Sequence, residues 1–234
     1  MSEWWTYRPS DFLLFSPRTY YRLFELYNAE IWPTQILTLA LGVAILVLLL
    51  RHGGAWRGRA VAAILAGCWL WVAWAFHFNR YATINWAATY FAAAFAVEAV
   101  LLVWTGAIRG RLRLSPAVRA VDRVGLGIFL FALVVQPLIG PHAGRDWVQV
   151  EIFGVAPDPT VVATLGLLLA APDRVLWTLL VIPLLWCAVG GATLWTMESP
   201  DAFVMPFAGA LVLLLAAWKA RTRAGMRAGS QSRL

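Results

Sequence analysis

The chain alternates between long apolar runs and short polar clusters rich in arginine. Nearly uncharged runs cover residues 31–50, 60–78, 84–108, 124–140, 175–196 and 203–218, and Glu98 is the one acidic residue well inside any of them. About 20 apolar residues in a helix cover the hydrocarbon thickness of a bilayer, and these six runs meet or approach that length. A seventh run, 159–171, opens at Asp158-Pro159, a carboxylate and a proline placed as at a helix start, and closes before Pro172. Its thirteen residues rise only about 20 Å. It either crosses a thin region or dips in and returns.

The basic residues choose between these readings. If the seventh run crosses, fourteen basic residues fall on one side, in the clusters around Arg57, Arg111, Arg174 and Lys219, and five on the other: Arg8, Arg18, Arg22, Arg80 and Arg145. If it does not cross, the split becomes eight against eleven. Cytoplasmic loops collect Lys and Arg, which favours crossing. The expected fold is therefore all-α, a polytopic transmembrane bundle of about seven helices (six plus one short or re-entrant). The N-terminus is placed outside and the C-terminus in the cytoplasm. Trp32, Trp86, Trp147 and Trp195 then fall at outer helix ends, and Trp56, Trp104, Trp177 and Trp218 at inner ends, as two aromatic belts would require.

Three regions follow from this frame. Residues 1–30 form an N-terminal interfacial segment, in which aromatics and leucine mix with Arg18, Arg22 and Glu25, and Ser10 and Ser16-Pro17 mark helix starts. Its amphipathic helices lie on the membrane surface or pack as a lid over the bundle. Residues 31–218 form the membrane domain, and 219–234 a basic cytoplasmic tail. The opening MSEWWTYRPSDF lacks the basic-then-apolar order of a cleavable signal peptide, so insertion is expected to depend on the first membrane helix.

Composition agrees and narrows the classes. The 234 residues are 61% hydrophobic and 13% charged, against about 25% charged in soluble domains. The net charge of +7 sits in loops between apolar runs, with no recognition element for nucleic acid. Arginine supplies all basic residues but Lys219. That bias, with abundant Ala, Leu and Val, points to a GC-rich bacterial genome and hence a bacterial inner membrane. Lys219 ends the last apolar run, which excludes a mid-membrane retinal Schiff base. Cys68 and Cys187 lie in apolar runs without CxxC spacing and read as core residues.

Polar groups inside a bilayer are costly and invite a functional reading. Glu98, Gln136, Asp158 and Thr160 are the candidate transport residues of the polar core, with Glu98 either binding protons or cations or hydrogen-bonding to Gln136 or a Trp N–H. Pro137, Pro183 and Gly190-Gly191 loosen apolar runs, as in the broken helices of transporters. A second gathering at the outer ends holds His77, Asn79, Asn85, His142, Asp146 and Glu151, with Arg145 and Asp201 among its further members. His77 and His142 are the candidate metal or haem ligands, although no HxxxH or HExxH spacing supports them. No cofactor is expected otherwise. There is no Walker loop, nucleophile elbow or Ser-His-Asp arrangement, so the reading leans away from an enzyme.

Several motifs occur together: Tyr27-Asn28 with Trp32-Pro33, Asn85-Trp86-Ala87-Ala88, Ala156-Pro157-Asp158-Pro159-Thr160 leading to Thr164-Leu165-Gly166-Leu167-Leu168, and Ile182-Pro183-Leu184-Leu185-Trp186 with Gly190-Gly191. Over residues 20–218 the chain resembles a family of bacterial integral membrane proteins known as domain of unknown function 6064. The resemblance implies membrane residence and no particular activity. Two functions are carried forward. One is permeation or transport of a small solute or ion through the bundle. The other is an accessory or assembly subunit of a larger membrane complex, whose partner helices would meet surfaces such as Trp69, Trp71 and Trp74. A metal- or haem-using membrane enzyme is the third reading. The expected partners are the lipid bilayer and membrane subunits or further copies of the chain, and not nucleic acid.

Overall fold

The computed structural model describes residues 15–51, 54–113, 119–171 and 176–231, with side chains of the last helix described to Thr222. The helix start at Ser10, Pro172, Asp173, Arg174 and the arginine side chains beyond Thr222 lie outside the described residues.

The described residues with regular structure are all helical. Ser16 caps α1 (Pro17–Glu30), accepting the Thr19 N–H at 3.2 Å, and Pro17 occupies the first turn, where no N–H is needed. Tyr20, Leu23, Phe24 and Tyr27, spaced for one helical face, are all buried. At the turn before α2 (Thr34–Leu50) the chain bends by 88°. α1 thus lies crosswise over one end of the bundle, with its apolar face against protein. Phe24 packs on Phe76 at 4.9 Å, and the Tyr27 hydroxyl donates to the Val155 carbonyl at 2.9 Å.

Five continuous helical stretches are long and apolar enough to cross a membrane: Trp56–Thr83, Ala88–Ile108, Ala120–His142, Trp177–Thr196 and Val204–Thr222; the bent pair of α1 and α2 makes a sixth when taken as one span. Within them lie α3 (Trp56–Trp71), α4 (Ala88–Leu102), α5 (Ala120–Leu130), α6 (Gln136–His142) and, after the short α7 (Pro157–Ala170), α8 (Val181–Thr196) and α9 (Val204–Gln231). Three stretches widen into π-helical turns, at Val72–Phe78, Val103–Ile108 and Phe131–Val135. The last precedes Pro137, whose missing N–H and bulky ring disrupt the turn before it. α8, in contrast, runs unbroken through Pro183 and Gly190-Gly191. Gly191 lies against Pro206 of α9, where an added Cβ would sit 2.4 Å from the ring, so this glycine serves close packing and not a break.

The short run forms α7, a helix enclosed by the rest of the bundle. All fourteen of its residues are buried. Asp122 of α5 and Lys219 of α9 meet at the C-terminal end of α7, while Gln136, Leu194 and Met205 gather around Asp158 at its start. α7 therefore lies inside the bundle alongside α5 and α9, and at 14 residues it is shorter than the stretches of 19 to 28 residues around it. It needs no lipid-length apolar surface because protein surrounds it. Its start is also two residues earlier than Asp158-Pro159 implied: Ala156 is the N-cap, and no side chain caps it.

The outer surface is apolar where lipid would lie, with Leu37, Val43, Val100, Leu185 and Leu214 all exposed. All eight tryptophans assigned to the two belts are exposed. Trp69 is fully buried and so cannot meet a partner; its N–H donates to Thr164 of α7 at 2.9 Å. Trp71 and Trp74 do reach the surface. Lys219, read as the first residue of a tail, is instead buried within α9.

Candidate functional site

The polar groups at the start of α7 come from four separate stretches of chain. Asp158 stands in the first turn of α7, where the helix dipole favours negative charge. It does not cap its own helix. Its Oδ1 accepts the Trp186 indole N–H at 2.8 Å, and Gly190 leaves room for that bond, since an added Cβ would lie 3.3 Å from the same oxygen. Glu151 comes from the loop before α7, Asp201 from the turn before α9, and Arg145 from the turn after α6. Gly140 of α6 gives the Arg145 guanidinium its space, because a Cβ there would fall 2.5 Å from Nε.

One guanidinium reaches two of these three carboxylates, and all four groups line one cavity. Arg145 Nη2 pairs closely with Asp201, whereas Nη1 is 3.5 Å from Glu151, a long contact. Glu151 Oε2, Arg145 Nε and Gln136 Oε1 are buried and have no hydrogen-bond partner among the described residues. Gln136, Arg145, Glu151, Asp158, Asp201 and Met205 line a common cavity of about 20 Å³. That is room for about one water molecule. A chain of hydroxyls leads outward from the cluster to α1. Ser199 donates to Asp201, so its oxygen accepts from the Tyr21 hydroxyl at 2.7 Å, and the Arg145 guanidinium lies 4.8 Å over the Tyr21 ring.

Three carboxylates against one cation would leave two buried negative charges uncompensated, which a low-dielectric interior does not tolerate. Such an arrangement favours bound protons over full ionisation. Burial, and next the neighbouring Asp158, push the Glu151 carboxyl well above the usual carboxylate range, while Arg145 pulls the other way. An acid whose pKa is raised on folding binds protons more tightly in the native state. Stability then falls as pH climbs from the ordinary glutamate value towards the raised one. Glu151→Gln removes that loss, so its unfolding temperature in detergent should exceed that of the wild type by a margin that widens with pH through this window, at up to about 1.4 kcal/mol per pH unit. A constant difference between pH 5 and 8 would count against a proton held at Glu151.

The other candidates lie elsewhere. Glu98 is fully buried on α4, but it does not line the cavity, and neither of its oxygens has a partner among the described residues. Gln136, one expected partner, instead points Nε2 at Met205 Sδ at 4.0 Å. Thr160 is bonded at the start of its own helix: its hydroxyl donates to Ala156 O at 2.6 Å and accepts from Gly154 N at 2.8 Å. His77 was placed on the outer rim and is instead wholly buried, with Phe95 and Trp186 at 4.5 and 4.9 Å and neither ring nitrogen bonded among the described residues. His142 is exposed, with Nδ1 2.8 Å from Leu138 O. Asn79 and Asp146 are exposed as well, and Asn85 accepts the Ala87 N–H at 3.0 Å before α4. The two histidines thus occupy unlike surroundings, and no group of three or more His, Cys, Asp or Glu placed to hold a metal occurs among the described residues.

Of the cluster, Asp158, Glu151 and Gln136 were singled out from sequence. Arg145 and Asp201 stand in sequence only among outer polar residues, Trp186 only in a family motif, and Ser199 and Tyr21 carry no signal, because the bonds joining such residues span up to 178 positions. No curated protein and no solved structure matches the chain. A family model does, over residues 18–227, and the chain belongs to that family of unknown function, DUF6064.

Proposed function

We propose that the protein moves protons across a membrane, with the cluster of Glu151, Asp158, Asp201 and Arg145 as the proton-binding station. The reading rests on one observation: three carboxylates and a single guanidinium, which contacts two of them, line a cavity with space for about one water. Among the small solutes and ions considered from sequence, this space favours the proton. The Tyr21–Ser199–Asp201 hydroxyl chain supports access from the α1 side, since each link can accept and pass a proton. Asp158, at the N-terminus of the buried α7, supports the step inward. In this reading the arginine-rich end faces the bacterial cytoplasm, and the carboxylate end with α1 faces outward.

Proteoliposomes containing a trapped pH-sensitive dye test it under an imposed potassium diffusion potential. Wild-type vesicles should acidify faster than empty ones. Asp158→Asn keeps an acceptor for the Trp186 N–H and removes the titrating group, and it should slow acidification by about a hundredfold. Wild-type vesicles no faster than empty ones would overturn the reading, as would an Asn variant of unchanged rate.

A further inference from the structure

The bundle's other end carries a basic surface that proton movement does not use. Two contacts build it. Gly58 in the first turn of α3 lies so near the chain after α4 that a Cβ would sit 1.7 Å from the Leu112 carbonyl oxygen. Gly106 similarly faces Ala62, with a Cβ 2.3 Å from its methyl carbon. Leu112 is buried, so residues 109–113 are pinned to the start of α3 rather than swinging free. The turn passes through Gly110 at φ +58°, a conformation open to glycine.

This pinning gathers arginines. The Arg59 guanidinium rests against Gly110, its Nε 3.2 Å from where a Cβ would stand, in the turn that also carries Arg109 and Arg111. Arg109 is held over the Trp104 ring at 4.7 Å. All three arginines are exposed. Among the described residues the only acid at this end is Asp122, which is buried and bonded to Lys219 at 2.8 Å. No acidic residue stands in the first turn of α3 either. Three exposed arginines are thus gathered on one turn and the helix start pinned to it, without a described counter-charge.

We propose that Arg59, Arg109 and Arg111 form a binding site for the phosphate headgroup of an anionic phospholipid. Arginine presents a planar fork suited to phosphate oxygens. A lipid is favoured over a soluble phosphate because apolar side chains flank the arginines: Trp56, Trp104 and Ile108 are all exposed beside them. Those groups sit where acyl chains begin, and the arginines where headgroups lie.

Native mass spectrometry of the full chain, released from nanodiscs of equal phosphatidylglycerol and phosphatidylcholine, tests the site. The wild type should retain phosphatidylglycerol in clear preference. The triple variant Arg59→Gln, Arg109→Gln, Arg111→Gln should bind it roughly a hundredfold more weakly. The matching triple lysine variant should keep most of the preference, separating loss of charge from loss of fold. Equal retention of the two lipids by the wild type, or undiminished phosphatidylglycerol on the glutamine variant, would overturn the proposal. So would displacement of the lipid by an equal concentration of inorganic phosphate, which would make this a site for a soluble anion.

Discussion

Replacing Lys219 with methionine is expected to destabilise the bundle by about 3–5 kcal/mol, a large part of the 5–15 kcal/mol typical of a folded domain. The lysine is 3% exposed, and its ammonium donates to Asp122 Oδ1 at 2.8 Å and to the Leu169 and Ala171 carbonyls at 2.7 Å each. Those carbonyls end α7, whose last turn has no further residue to receive them and carries the negative pole of the helix dipole. Methionine keeps the length of the side chain but leaves a buried carboxylate without its cation. Thermal unfolding in detergent and the monodisperse fraction after extraction are the readouts. Asp122→Asn added to Lys219→Met should recover part of the loss, because removing both charges costs less than stranding one. A methionine variant that unfolds at the wild-type temperature would falsify this role for Lys219.

The same pair shows where sequence reading stops. Spans could be read because lipid imposes length and apolarity locally, and the runs from 60–78 to 203–218 correspond to helices in the structure. Tryptophan at the ends of runs was legible for the same reason, and all eight belt residues are exposed. α7 broke the rule because a helix enclosed by protein is released from both demands; its apolar character reflects the core and not lipid. The site lies further from sight. Lys219 at the edge of an apolar run looks like the start of a basic tail, and only the arrival of Asp122, 97 positions away, makes it a buried partner. Arg145 and Asp201, 56 positions apart, are joined in the same way. Asp158 could be found because proline and a carboxylate mark a helix start locally, yet its true partner, Trp186, could not. His77 was misplaced because a residue near the end of an apolar run reads as rim, whereas α1 folds back over that end, bringing Phe24 onto Phe76 beside it.

Gly166→Ala is expected to cost about 2–3 kcal/mol, and Gly166→Leu to prevent assembly of the bundle. α5 and α7 cross backbone to backbone at this point. A Cβ on Gly166 would lie 2.7 Å from both the Gly125 carbonyl oxygen and Phe129 N, and one on Gly125 would lie 2.5 Å from Ala170 N and 2.6 Å from Gly166 O. These obstacles are main-chain atoms of two helices, so no rotamer change relieves the clash; the helices must separate. In a membrane that separation is costly, because lipid tails are as apolar as the helix surfaces and association depends on close packing of small residues. For α7 the loss is compounded, since a helix with every residue buried has no lipid-facing side on which to re-dock. Gly127→Ala supplies the control on α5, two residues from Gly125. Nothing lies within 4 Å of its Cβ position, and alanine is the better helix former, so its stability should stay within about 0.5 kcal/mol of wild type or rise. Unfolding by titration with sodium dodecyl sulfate separates the outcomes. Equal effects at 127 and 166 would mean that helix propensity, and not the crossing, governs stability; a loss confined to 125 and 166 assigns it to the contact that fixes α7. Displacing α7 also moves Asp158 away from Glu151 and Arg145, so Gly166→Ala should narrow the pH dependence of stability attributed to Glu151, which Gly127→Ala leaves intact.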